Sequence, residues 1–125
     1  MRKIWLVEDD RNLADLTKIA LVKNGYEVRV FHTALNAIEE AKHQMPDLIL
    51  MDIMLPEFSG PEAVKELRKD VHLAKIPVIF LTGLIGSQEE DIEHKGINIE
   101  GITYKTLGKP YEIKRLLELV KSAVR

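Results

Sequence analysis

Asp47-Leu-Ile-Leu-Met-Asp52 is the stretch on which the reading of this chain turns. Four apolar residues, enough for a strand, stand between two acids. A run without alternation reads as a strand buried on both faces, and such strands belong to parallel sheets covered by helices. Asp52 stands where the strand stops, and Pro56 and Ser59-Gly60-Pro61 beyond it close the strand off. Open α/β sheets bind ligands outside the carboxyl ends of their strands. An acid in that place is positioned to meet one, and a carboxylate there is a candidate nucleophile toward phosphorus.

Working outward, Ile4–Val7 is a second apolar run, ending in Glu8, Asp9 and Asp10. A helix should follow, capped by Asp9 or Asp10, with Leu13, Leu16, Ile19 and Ala20 inward and Gly25 past its end. Glu27–Phe31 alternates polar with apolar and reads as an edge strand. Thr33 caps a helix with the stripe Ala34, Ala37, Ile38, Ala41 and Met45, which Pro46 ends. Ser59 and Glu62 form a capping-box pattern before a helix with Ala63, Val64, Leu67 and Val71 inward. Pro77–Leu81 is a third apolar strand, ending at Thr82-Gly83. Ser87-Gln88-Glu89-Glu90 opens a short, highly charged helix whose single apolar anchor, Ile92, should hold it loosely. Ile102–Leu107 reads as the last strand, again at an edge, and Ile113, Leu116, Leu117, Val120 and Val124 as the last helical stripe. Five strands alternating with five helices call for an α/β fold, a doubly wound parallel sheet with the all-apolar strands in its middle.

At 125 residues the chain, 1–125, should be one domain with a real core. A net charge of -2 suggests neither a nucleic-acid nor a membrane surface. The absence of Cys excludes disulfides and thiolate metal sites. No stretch resembles a signal peptide or reaches transmembrane length, so the expected location is cytoplasmic.

Glu8, Asp9, Asp52, Thr82 and Lys109 all follow strands and so share one rim of the sheet. Carboxylates a few Å apart repel by roughly 4 kcal/mol per pair at an effective dielectric near 20. A hard divalent cation relieves that, and Mg2+ suits oxygen ligands. Mg2+ and Lys109 together balance the charge of the three acids. Attack by Asp52 on phosphorus would form an acyl phosphate. Lys109, the Thr82 hydroxyl and backbone N–H groups near Gly83 would spread the charge that develops. Each residue alone has a plainer reading as a helix cap or loop residue; five in order make coincidence a poor account. Trp5 reads as core, and Met45, Met51 and Met54 as packing residues. His32, His43, His72 and His94 lack ligand spacing and read as surface. The basic residues Lys65, Arg68, Lys69, His72 and Lys75 read as a solvated helix face, and Gly83-Leu84-Ile85-Gly86 lacks the ending of a phosphate loop.

With these residues assembled, the sequence resembles the receiver domain of two-component response regulators. The resemblance rests on Val7-Glu8-Asp9-Asp10, Leu50–Pro56 with Gly60, Leu81-Thr82-Gly83 and Lys109-Pro110-Tyr111, and covers nearly the whole chain. It implies a flavodoxin-like five-stranded sheet of order 2-1-3-4-5 in a (βα)5 arrangement. It implies that Asp52 takes a phosphoryl group from a phosphohistidine of a sensor histidine kinase or histidine phosphotransfer protein. Asp9 would bind Mg2+ directly, Glu8 directly or through water, with the Met54 backbone carbonyl as a further ligand beside Asp52. Lys109 would pair with the phosphate and Thr82 would turn toward it. The surface of the fourth helix, fifth strand and fifth helix would then change for a downstream protein or an output domain.

The chain departs from the family pattern in places. The position three before the lysine, aromatic in many members, is Thr106, and Tyr104 stands two residues earlier, where it could take that part only if the strand register differs. The segment from Thr82 to Lys109 is about one helical turn longer than usual, with the extra residues in Gly96–Gly101, a partner-specific feature or a tolerated insertion. Met54 and Leu84, which flank the phosphoryl group in this family, are both apolar and cannot orient a water, so self-dephosphorylation should be slow. The competing readings are a pseudo-receiver that binds partners without phosphate, and an aspartyl phosphatase. Met54, where such phosphatases carry a second acid, argues against the latter.

Overall fold

In a computed structural model, which describes residues 1–83 and 96–124, the chain runs β1 (Lys3–Val7), α1 (Arg11–Lys23), β2 (Glu27–Phe31), α2 (Ala34–Ala41), β3 (Leu48–Asp52), α3 (Gly60–Leu67), a 3-10 turn (Leu73–Lys75), β4 (Val78–Thr82), β5 (Ile97–Ile99), β6 (Ile102–Tyr104), β7 (Thr106–Gly108) and α4 (Ile113–Ala123). Five strands form one parallel sheet in the order β2-β1-β3-β4-β7, the flavodoxin-like arrangement with β7 in the fifth place. The apolar strands β1, β3 and β4 occupy the middle, and β2 lies at an edge. The helix expected after Ser87 lies outside the described residues. Among the described residues no helix is long and apolar enough to cross a membrane.

The period-two geometry of the strands divides the core. Trp5, Val7, Ile49, Met51, Val78 and Phe80 point to the face covered by α2 and α3. Ile4, Leu6, Leu48, Leu50, Ile79 and Leu81 point to the face covered by α1 and α4. The caps follow from local chemistry. The carboxylate of Asp10, not Asp9, accepts from Leu13 N–H at 3.0 Å. Thr33 accepts from Asn36 N–H, and Ser59 and Glu62 exchange both bonds of a capping box.

Several inward faces differ from expectation. α1 buries Ala14, Thr17 and Leu21 and leaves Leu16 66% and Ile19 52% exposed. The helix rests on its small residues, which permit a closer approach, and the hydroxyl of Thr17 finds a half-buried partner in Tyr111. Met45 and Val71 are also exposed, because α2 and α3 stop before reaching them. Beyond α3 the Asp70 carboxylate accepts from His72 and Leu73 N–H, which favours a turn over further helix and sends Leu73 inward instead of Val71. On α4, Leu119 is buried and Ile113, in the first turn, is exposed.

The larger correction concerns the last strand. Ile102–Leu107 does not run as one piece. It breaks at Lys105: β6 folds back on β5 as an antiparallel hairpin, and only Thr106–Gly108 joins the sheet. Glu100 (φ 50) and Gly101 (φ 91) make the two-residue turn whose twist suits a hairpin. The Asn98 side chain accepts from Gly101 N–H, and Arg68 of the α3 cap donates to the Ile99 carbonyl at 2.7 Å. Ile99 is buried, and the Tyr104 ring meets Phe80 edge-on at 5.7 Å. The 96–101 segment thus forms a hairpin with 102–104, seated on the core. Ile99→Ala is expected to cost about 2–4 kcal/mol, against less than about 0.5 kcal/mol for Ile102→Ala on the exposed side. Urea unfolding followed through the buried Trp5 would measure both.

Candidate functional site

The sheet brings its carboxyl ends to one cleft, of about 530 Å3, lined by Glu8, Asp9, Asp10, Asp52, Ile53, Met54, Thr82, Gly83 and Lys109. Asp52 closes β3 and is buried. One of its oxygens accepts from Met54 N–H at 3.2 Å and the other from the Lys109 ammonium at 2.9 Å. Glycine is required behind it. A Cβ on Gly60 would lie 2.7 Å from the Asp52 carbonyl oxygen and 2.9 Å from the Phe80 ring. The loop between β3 and α3 is further fixed by Gly60 N–H on the Ile53 carbonyl and by a tight turn at Glu57 (φ 66), where Phe58 N–H meets the Pro56 carbonyl.

Glu8 follows β1 and is fully buried, whereas Asp9 is exposed at the mouth. Glu8 accepts from Asp10 N–H and from the Lys109 ammonium. Carboxylate oxygens of Glu8, Asp9 and Asp52 lie within 4.8 Å of one another. Thr82 ends β4, buried, and its carbonyl accepts from Lys109 N–H at 2.6 Å. The Lys109–Pro110 peptide is cis. The structure therefore gathers Glu8, Asp9, Asp52, Thr82, Gly83 and Lys109 as expected.

The charges perturb one another. Burial and the neighbouring Asp52 raise the Glu8 pKa from an ordinary 4.5 to about 7, and the bond from Lys109 only partly opposes them. For Lys109, burial works to lower the pKa, but the bonds to Glu8 and Asp52 outweigh it and hold the ammonium charged. The donor set fits a hard divalent cation such as Mg2+: three carboxylates, all oxygen, two buried and one facing solvent, with a lysine that only partly compensates them.

Other residues fall differently. Met54 is not a packing residue; its side chain is 76% exposed at the cleft mouth. Thr106, buried, pairs in register with Phe80, and Gly108 with Thr82. Tyr104 belongs to the hairpin, so the register does not move it into the place of Thr106. Leu84 lies outside the described residues. His32 was expected at the surface, but its Nδ1 bonds the Glu8 carbonyl at 2.8 Å from behind. Only the pairing of Val7 with Phe31 reveals that contact, and it is not visible in the linear sequence.

The sequence profile of the response regulator receiver domain matches residues 4–121. The chain belongs to that family. This receiver is similar to the polar-differentiation response regulator DivK of Brucella ovis, 35% identical over 122 residues that span 97% of this chain and 94% of DivK. It is 32% identical to the transcriptional regulatory protein CreB of Escherichia coli, of which it covers 50%. Among solved structures, the receiver domain of a sensor histidine kinase from Pseudomonas aeruginosa superimposes with a TM-score of 0.83 at 25% identity, over 98% of this chain and 97% of that one. That domain holds a magnesium ion in its active site cleft. Family membership makes this chain a phosphoacceptor domain of two-component signalling.

The Glu8 shift has a consequence for stability. In the folded receiver Glu8 keeps its proton up to about pH 7, in the unfolded chain only to about 4.5. The folded state binds more protons in that window, so its stability falls as pH rises from about 4.5 to about 7. Urea midpoints across this range, in buffer free of divalent cations, should show that slope and should lose it in Glu8→Gln. A slope that persists in the variant would refute the assignment.

Proposed function

We propose that Asp52 is the phosphoacceptor of this receiver, and that Lys109, Thr82 and the acids around it form the phosphotransfer site. The observation that carries this is the Lys109 ammonium held between Asp52 and Glu8 at the carboxyl rim. An Asp52 carboxylate oxygen attacks the phosphorus of a phosphohistidine. The P–N bond breaks and the imidazole, already protonated on its other nitrogen, leaves with the bonding pair as the neutral ring. Glu8, Asp9, Asp52 and the Met54 carbonyl would hold Mg2+, which supplies positive charge to the phosphoryl oxygens when bound. Lys109 lies close enough to pair with a phosphoryl oxygen. The Thr82 hydroxyl and the N–H groups near Gly83 and Met54 donate to the others.

The donor is a sensor histidine kinase or a histidine phosphotransfer protein in the cytoplasm. The readout is a protein target or an output domain, with no direct contact to nucleic acid or membrane. The domain spans 1–125, promotes its own phosphorylation and loses phosphate slowly, because Met54 and Leu84 offer no polar group to an attacking water. Thr106, buried beside Phe80, and Tyr104, packed on that same ring, are the candidate switch residues. A pseudo-receiver would have no use for a lysine shared by two buried acids.

Incubation with acetyl phosphate and Mg2+, read by intact mass, should add one phosphoryl group to the wild type and none to Asp52→Ala. Lys109→Ala should slow the reaction by roughly 10²-fold or more, the scale of losing a group that stabilises the transition-state charge. The isolated phosphoprotein should keep its label for hours in Mg2+; loss within seconds would contradict the expected lifetime. Failure of the wild type to take phosphate from any donor would leave the pseudo-receiver as the better reading.

A further inference from the structure

Tyr111 stands two residues beyond Lys109, between β7 and α4, and its hydroxyl bonds that of Thr17 on α1, 94 residues away in sequence. Thr17 is buried on the face of α1 that otherwise presents Ala14 and Leu21. A hydroxyl there is costly without a partner, and Tyr111 is the side chain that meets it. The Tyr111 ring packs into the apolar cluster beneath α1 and α4, and burial holds its hydroxyl protonated well beyond neutral pH.

The placement of this bond is more informative than its existence. α1 starts from Asp10, whose N–H binds the Glu8 carboxylate, so the acid-bearing loop is fastened to the head of this helix. The lysine-bearing loop is fastened on one side by Lys109 N–H to the Thr82 carbonyl. On its other side it is fastened by Tyr111 to the body of the helix whose head holds the Glu8 loop. α1 is thus a common frame for Glu8 and the Lys109 loop, while Asp52 is held by β3.

We infer that the Tyr111–Thr17 bond sets the position of the Lys109 ammonium relative to Glu8 and Asp52, and that Tyr111 is therefore a positioning residue for phosphoryl transfer. This rests on the reading of Asp52 and Lys109 given above. Tyr111 touches neither the phosphoryl group nor the acids; it acts through the backbone of Pro110. Small displacements of a charge-stabilising group are costly in such reactions, because catalysis depends on position.

The test compares Tyr111→Phe, Thr17→Val, their combination and Thr17→Ser, well below their unfolding temperatures. At saturating acetyl phosphate and Mg2+, each of the first two should slow phosphorylation about three- to tenfold, the scale of one buried hydrogen bond. The double variant should be no slower than either, since both remove the same bond. Thr17→Ser, which keeps the hydroxyl, should stay near the wild-type rate. In metal-free protein, nitrogen-15 NMR of the Lys109 ammonium should show faster hydrogen exchange in Tyr111→Phe. If Tyr111→Phe melts earlier but keeps the wild-type rate and ammonium exchange, the contact is packing only and the inference fails, with the Asp52 reading intact. Losses that multiply in the double variant would also overturn it. If the wild type itself gains no phosphate, the Asp52 reading fails and this one with it.

Discussion

The site depends on one cation shared by two buried acids. Glu8 and Asp52 are both withdrawn from water, and each would be expensive there alone. Lys109 reaches both, but one positive charge cannot offset two negative ones. Burial, with Asp52 alongside, therefore raises the pKa of Glu8 despite the lysine. An arrangement left short of positive charge is poised to accept more of it. That is why the cleft suits a divalent ion first and a phosphoryl group afterwards, when the ion and the ammonium together face the new anion.

Everything else in the sheet serves that arrangement. Parallel strands in register set Val7 beside Met51 and Met51 beside Phe80, so that Glu8 and Asp52 follow at one level and Thr82 one residue beyond. Gly60 lets α3 start against the Asp52 backbone, where any Cβ would push the two apart. His32, just past β2, braces the Glu8 carbonyl. The acids sit at the ends of rigid elements rather than on long loops, which is how a few tenths of an ångström can be held.

Much of this was legible in the sequence. The unbroken apolar runs ending in Asp52 and Thr82 disclosed the central strands, and the residues just past strand ends disclosed the rim. The capping residues Asp10, Thr33 and Ser59 were readable because their chemistry is local. What escaped was set by tertiary contact. α1 carries apolar residues around much of its surface, so periodicity could not tell that Ala14 and Thr17 face inward rather than Leu16 and Ile19. The break at Lys105 was hidden because Glu100-Gly101 is a weaker hairpin signal than Asn-Gly, and β-branched residues lie on both sides of it. His32 had no local signal at all.

The hairpin also shows how a stretch of chain can be added to a crossover at little geometric cost. Ile97 and Tyr104 are directly paired, so the chain enters and leaves the hairpin at neighbouring points. The eight residues 97–104 therefore add only about 5 Å, one strand spacing, to the span the crossover must bridge from β4 to β7. Geometrically the detour is nearly invisible to the rest of the sheet, and superposition on another receiver still extends over 98% of the chain. Length has been gained here without reach.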